Sequence, residues 1–417
     1  MEKQLILIIG AGLAGPALAL SLARHSIKST IFEIRPSLSE PGGSITLAAN
    51  AVRALTLLGG DELIARIQAA GFVYTRMTAF LSTGYRYGDL VVGEEGEGGV
   101  PAVRIMRTAL NKLLLEECEK KGVDVRWGKK LESIREDDGG VTAVFEDGSI
   151  KQGSALIGAD GIHSFTRQHV LPEPPKPTYA GSCVINGFLP RSSVTTPTPD
   201  YPFPAMIFSP SGLLMTIPID PSGQQLAWGI TKTVPDDKGR AGWAAYESSG
   251  AAYADAKADF DNITTEPIRS LLDNADAKTA KLWAAYSIPD LPRWHRGRVC
   301  LIGDAAHALP PNGQGSAMAF EDAALLVRLL TDSKAMERGY EAVFGHWETV
   351  RRKRVEDVKK HSKVGGMMKS SHHPESWAWW AKTWLFWLFI TVKNRGVVQA
   401  GAGFSGYDVM TENIEVE

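Results

Sequence analysis

Near the N-terminus, Gly10-Ala11-Gly12-Leu13-Ala14-Gly15 has the spacing of a turn that receives a pyrophosphate. Gly10 permits a tight turn, Gly12 lets the backbone approach the phosphates, and Gly15 lets the next helix pack on its strand. The helix start at Leu13 and Ala14 offers free N–H groups and partial positive charge to the phosphates. Glu33, closing the following strand, offers a carboxylate to both ribose hydroxyls, and Arg35 is a further candidate for the same nucleotide. This turn alone does not separate FAD from NAD. A second glycine pattern, Gly401 to Gly406, has no room after it for a helix and a second strand, so one dinucleotide fold is expected.

Two later segments narrow the choice. Ala155-Leu156-Ile157-Gly158-Ala159-Asp160-Gly161 and Val299-Cys300-Leu301-Ile302-Gly303-Asp304 each read as a strand running into a glycine turn. Asp304 stands where a ribityl hydroxyl can donate to it, and the alternative reading is a helix N-cap using the same oxygen. The run Pro310-Pro311-Asn312-Gly313-Gln314-Gly315-Ser316-Ala317 then opens a helix whose free N–H groups can face the pyrimidine edge of a flavin.

The ordered set GAGLAG, GADGIHS and GDAAHALPPNGQG resembles the single-component flavoprotein hydroxylases of the para-hydroxybenzoate hydroxylase type. The resemblance is greatest to fungal salicylate-hydroxylase-like monooxygenases. It implies tightly bound, non-covalent FAD, with NAD(P)H as transient co-substrate and dioxygen activated as a flavin hydroperoxide. It implies ribose contact at Glu33, FAD contact at Arg107, a ribityl contact at Asp304 and a backbone contact at Ala317. Asp160-Gly161 is implied to serve both FAD and NAD(P)H, with Arg167 closing that segment or standing as a solvated helix charge. Gly43 and Ser44 fall beside the flavin ring, in Pro41-Gly42-Gly43-Ser44-Ile45, with Ser44 in place of the family's glycine.

These residues require an α/β fold: a Rossmann-like FAD-binding domain, an inserted mostly antiparallel β-sheet substrate domain and a helical C-terminal segment. The expected division is 1–71, 101–174 and 287–362 for FAD, 72–100 and 175–286 for substrate, and 363–417 for the tail. Short alternating segments such as Ser182 to Leu189 and Leu213 to Ile219 predict the sheet. Its candidate pocket residues are Asn186, Phe208, Met215, Ile217 and Trp228, with Pro310 from the FAD side; plain core packing is the competing reading for the last five except Ile217. Where the family carries an arginine and a tyrosine that bind and deprotonate a phenol, this chain aligns Asn186 and Ile217. The amide resembles the tetracycline-inactivating branch. Phenol activation by that pair is thereby put in doubt, and an electron-rich, enolic or polycyclic substrate is favoured.

The net charge of −2 and the lack of a basic stripe argue against nucleic acid. Cys118, Cys183 and Cys300 lie far apart without metal spacing, which predicts a reducing, cytoplasmic setting and no metal. The apolar run at residues 5–9 is too short for a signal-peptide core. His307 is read as part of the flavin-site turn. The charged stretch Trp347 to Lys363 is read as a solvated face. Trp377, Trp380, Trp384 and Trp387 share helical spacing, with three readings: packing on the FAD lobe, a peripheral membrane contact or a dimer contact. Monomer and homodimer both remain open. Rival functions are a flavin reductase without oxygen insertion, an epoxidase or Baeyer–Villiger variant, and a non-catalytic flavin binder.

Overall fold

Leu5–Ile9 is apolar throughout because it is buried on both faces: it lies inside a six-stranded sheet. The order is His295–Arg296, Val299–Leu301, Ala155–Gly158, Leu5–Ile9, Lys28–Phe32 and Asp124–Arg126, parallel except for the first pair. The computed structural model describes residues 4–38, 42–94, 99–310, 313–369, 377–393, 397–399 and 406–416. Pro41, Pro311, Asn312 and the glycine pattern from 401 to 405 lie outside the described residues.

Three neighbouring parallel strands end at the same level. Ala159 donates to Ile9 O at 2.8 Å and Ile302 donates to Gly158 O at 2.9 Å, so the three glycine turns gather on one edge. Helix Ala14–Arg24 leaves the first turn, and the almost wholly buried helix Gly315–Thr331 packs beside it.

The second layer is an eight-stranded sheet: Lys281–Ser287, Thr178–Pro190, Gln225–Thr233, Gly212–Pro218, Ala205–Ser209, Arg76–Leu81, Arg86–Val91 and Val397–Gln399. Its pairings are antiparallel except Ala205–Ser209 with Arg76–Leu81 and Val397–Gln399 with Arg86–Val91. A small sheet, Ser44–Leu47, Ala102–Met106 and Phe72–Tyr74, packs toward both: Leu47, Val103 and Ile105 join the core of the first large sheet, and Tyr74 and Ala102 meet Met77 and Ile217 of the second.

Two expectations are corrected here. Helix Trp377–Trp387 packs on the substrate sheet rather than on the FAD lobe: Trp379, Phe386 and Ile390 sit against Ala79, Tyr87, Phe208 and Leu213. Trp387 donates to the Tyr85 hydroxyl at 2.9 Å, leaving Trp377, Trp380 and Trp384 exposed. Among the described residues of the tail, the last stretch returns to the FAD lobe, where the ring of Tyr407 lies 4.0 Å from the Arg354 guanidinium. Second, the charged stretch is a solvated face only in part: Lys353, Glu356 and Lys360 are exposed. It belongs to helix Tyr340–Lys369, and Arg351 and Arg354 are buried against Glu321 and Asp322. A charge run on one helix looks solvated until a facing helix supplies counter-charges, and here Gly315–Thr331 does so.

Candidate active site

The glycine turn is held by close backbone packing. Gly10 has φ +108°, and a Cβ there would lie 2.5 Å from Ala159 O. A Cβ on Gly15 would lie 2.0 Å from Gly10 O. A Cβ on Gly12 would meet nothing within 4 Å, so the turn opens where a pyrophosphate would lie. Leu13 and Ala14 begin the helix without a side-chain cap, so its first N–H groups stay available.

Glu33 is buried. Its Oε2 accepts from Ala11 N at 2.7 Å and its Oε1 from Arg35 N at 3.0 Å. A carboxylate has about four lone-pair sites, so ribose hydroxyls can share it with these backbone donors. Arg35 and Arg107 are exposed, and Arg107 N bonds to Gly43 O at 3.1 Å, tying the helix Arg107–Lys120 to the strand carrying Ser44.

Asp304 decides between its two readings. The cap position of helix Asp304–His307 is Gly303, with φ +59°, and no side chain caps the helix. No side-chain hydrogen bond joins Asp304 to any of the described residues, and its Oδ1 lies 3.9 Å from where a Cβ on Gly315 would be. Its side chain is exposed toward the cleft, and the protein around it raises its pKa by desolvation against the pull of His307, Arg107 and Arg167. An acid in that setting lacks the hydroxyl donor that a ribityl chain would provide.

Asp160 is used differently. It accepts from Ser164 Oγ at 2.6 Å and from Thr166 N and Oγ1, both at 2.9 Å, and so braces its own turn. Arg167 is buried rather than solvated. It donates to Ala305 O at 2.9 Å, Ile162 O at 3.1 Å and Asp304 O at 3.3 Å, lacing two of the three turns together. His307 is structural, with Nε2 2.7 Å from Asp322. Gly313 (φ +79°) and Gly315 are exposed toward the cleft, Ser316 is half-buried, and Gln314 turns inward to accept from Asn50 at 3.0 Å. Ala317 is buried in the first turn of its helix.

Behind these turns lies a charged cluster that local spacing does not disclose. Asp322 accepts from Gly303 N, His307 and Arg351, each at 2.7 Å. Glu321 takes Arg351, Arg354 and Asn50. Burial works to raise the Asp322 pKa, but His307, Arg351 and the Gly303 N–H outweigh it and hold it at about 2.

On the substrate side, strand register sorts the candidates. Asn186 and Met215 both stand opposite Gly229, and Met206 stands opposite Met215, so these side chains share one face, with Ile217 two residues on. That face overlooks the flavin-site strand: a Cβ on Gly43 would lie 3.7 Å from Asn186 Oδ1. Trp228 does not belong with them. It stands opposite Gly187 and Thr216 on the other face, packed on Tyr253. Phe208 is on the right face but lies under the tail, with its ring 5.1 Å from that of Phe386. Pro310 is exposed at the mouth.

Comparison with known proteins now fits this geometry. A family model described as FAD binding domain matches residues 3–362. The chain belongs to that family. Within it, a salicylate hydroxylase of Pseudomonas putida is 31% identical over 385 residues, covering 88% of this chain and 86% of that protein. A salicylate hydroxylase substrate complex has the same fold, with TM-score 0.77 and 23% identity over 98% of this chain and 96% of that one. The tetracycline destructase Tet(55) shares the fold at TM-score 0.67 and 18% identity over 95% and 98% of the two chains. Like its relatives in the FAD-binding-domain family, this chain is a flavoprotein monooxygenase that uses FAD and acts on a small molecule. The residues fit the cofactor: the Gly12 opening suits the pyrophosphate, and the unpartnered Asp304 suits the ribityl chain.

One further residue of the site belongs to none of the motifs. In Ala102–Met106, Val103 and Ile105 face the FAD core, and Arg104 faces the opposite way, toward the roof. The signal was the period-2 alternation with a cation between two apolar residues.

Proposed function

We propose that the protein hydroxylates an electron-rich phenolic, enolic or polycyclic compound whose reactive oxygen is already ionised when it enters the site. The observation that carries this is the roof: Asn186 stands over Gly43, beside Met215 and Ile217, with no acid–base side chain among them. FAD, reduced by NAD(P)H, supplies the activation of dioxygen. The chain's own residues bind, orient and shield. The three glycine turns fix the cofactor, the methionines and Ile217 exclude water from the reacting faces, and Asn186 can donate to or accept from a ring substituent.

The test is an assay of NAD(P)H and dioxygen consumption with salicylate, with 4-hydroxybenzoate and with polycyclic enols. Expected are low, poorly coupled rates with the benzoates, because a simple phenol with pKa about 10 is scarcely ionised near neutral pH, and higher, coupled rates with the enols. Fast, coupled hydroxylation of either benzoate would sink this reading, and NAD(P)H oxidation that never becomes substrate-dependent would favour a reductase.

The three cysteines are buried and free, which supports a cytoplasmic, reducing setting. No helix among the described residues is long and apolar enough to cross a membrane. The exposed Trp377, Trp380 and Trp384 support a surface contact for the tail. Liposome flotation and sedimentation distinguish a lipid surface from a second copy of the chain.

A further inference from the structure

Buried cations elsewhere in this molecule are met by anions or by several carbonyls. Arg351 pairs with Asp322 at 2.7 Å and Glu321 at 3.0 Å. Arg167 donates to the carbonyls of two turns. Arg104, half-buried in the small sheet, is different. Its Nε donates to Ser44 Oγ at 3.0 Å and its Nη1 to Thr46 Oγ1 at 3.0 Å. No carboxylate among the described residues pairs with it. Burial lowers its pKa, and the one electrostatic contribution that opposes this comes from Tyr74. A guanidinium has five N–H donors, so two hydroxyls leave capacity unspent. Shielding such a charge from water even in part, without a counter-charge, is costly.

Its position says what the charge faces. Thr46 and Phe72 stand opposite Arg104 in the small sheet, and Ser44 stands opposite Met106, so all five share one face. On that face, Tyr74 and Ala102 pack against Met77 and Ile217 of the roof. Ser44 follows Gly43, over which Asn186 stands. Arg104 therefore occupies the seam between the flavin-site strand and the roof, held in place by hydroxyls that orient it without neutralising it.

We propose that Arg104 is the anion-binding residue of the substrate site and selects compounds that present an ionised oxygen, an enolate or phenolate, to the seam. This deepens the proposed function and rests on the same site. It also accounts for chemistry without the arginine and tyrosine that relatives carry at Asn186 and Ile217: a fixed cation stabilises the ionised substrate, so no side chain has to remove its proton. A guanidinium in a partly dehydrated setting interacts with an oxyanion more strongly than it would in water. A benzoate could meet Arg104 with its carboxylate and still present a protonated phenol, binding without reacting.

The experiment measures binding to the FAD-loaded protein without NAD(P)H, so it stands whether or not the substrate assays succeed. Two probes are used in mildly alkaline buffer: 4-nitrophenol, ionised there, and 4-nitroanisole, its uncharged ether. Binding is followed by the perturbed flavin absorbance. Expected is a preference for the nitrophenolate that Arg104→Gln reduces about tenfold to a hundredfold, the range for hydrogen bonds to a charged group. Anisole affinity and FAD content should stay level. Arg104→Lys should restore part of the preference, because the charge returns without the planar fork. Equal loss of both probes in Arg104→Gln, or no nitrophenolate preference in the unmodified protein, overturns the assignment. If Arg104→Gln fails to retain FAD, the Arg104→Lys protein decides: a preference for nitrophenolate over anisole as strong as in the unmodified protein also overturns the assignment.

Discussion

The two sides of the cleft are built on opposite plans. Behind the flavin-site turns, the polar groups are packed densely and paired: Asp322 takes three donors, Glu321 takes Asn50 and two arginines, and Arg167 laces two turns. The roof is apolar and sparsely paired, with Met206, Met215, Ile217 and Gly229 around Asn186. The cofactor side must hold one fixed molecule, so each turn is over-determined. The roof must accommodate a substrate, and a smooth surface with one amide can be altered residue by residue without disturbing the cofactor.

Breaking the dense side should be expensive. Arg351→Met leaves Asp322 and Glu321 short of a buried cation, and a loss of about 3–5 kcal/mol is expected in denaturant unfolding. A cost below 1 kcal/mol, roughly the worth of a surface pair, would show that the cluster is solvated and that the contrast with the roof is overstated.

The same cluster has a sign in pH. Asp322 is held at about 2 in the folded chain, below its ordinary 3.8. It therefore contributes stability that is fully present above its unfolded pKa and is lost as pH falls from about 4 toward 2, roughly 2 kcal/mol in all. Asp322→Asn should flatten the acid limb of a stability-versus-pH curve, while an unaltered limb would assign acid unfolding to other groups.

Asp304 sharpens the comparison because it is the exception on the dense side. Its side chain is exposed in the cofactor-free cleft and makes no hydrogen bond to a described residue, so the scaffold does not depend on it. Asp304→Ala should leave the apoprotein as stable or more so, yet weaken FAD binding by about 1–3 kcal/mol in a flavin titration. If both fall together, Asp304 is part of the scaffold and not a cofactor ligand.

The smallest effect belongs to the tail's outer row. Trp380 is 58% exposed, and Trp380→Ser should change unfolding free energy by no more than about 0.5 kcal/mol. A large loss in a dilute, lipid-free sample would mean that this face is covered by a second copy of the chain.

What could be read from the sequence was local. Gly10, Gly12 and Gly15 announce their turn because all three constraints fall within six residues. The roof strands were legible from alternation, but the face of each side chain was not: Trp228 sits one residue from Gly229 and points the other way. Arg351 was misread because its partners lie 29 and 30 positions back on another helix, which no window reports. The tail's tryptophans show helical spacing but carry no record of which surface receives them; that depends on Tyr87, Phe208 and Leu213, an apolar patch of the eight-stranded sheet far away in the sequence. Arg104 is legible in principle, as a cation flanked by two core residues, but it lies between motifs and belongs to none of them.

The strand Val397–Gln399 pairs in parallel with Arg86–Val91 at one margin of the substrate sheet. An uncovered margin is a template for another chain. Shortening the protein before Trp377 would therefore do more than remove a small patch of structure: it would bare a row of backbone donors and acceptors, together with the apolar surface under Trp379 and Ile390. The expected failure of such a shortened protein is clumping during expression rather than loss of flavin, and expression hosts would report it as insoluble yellow material.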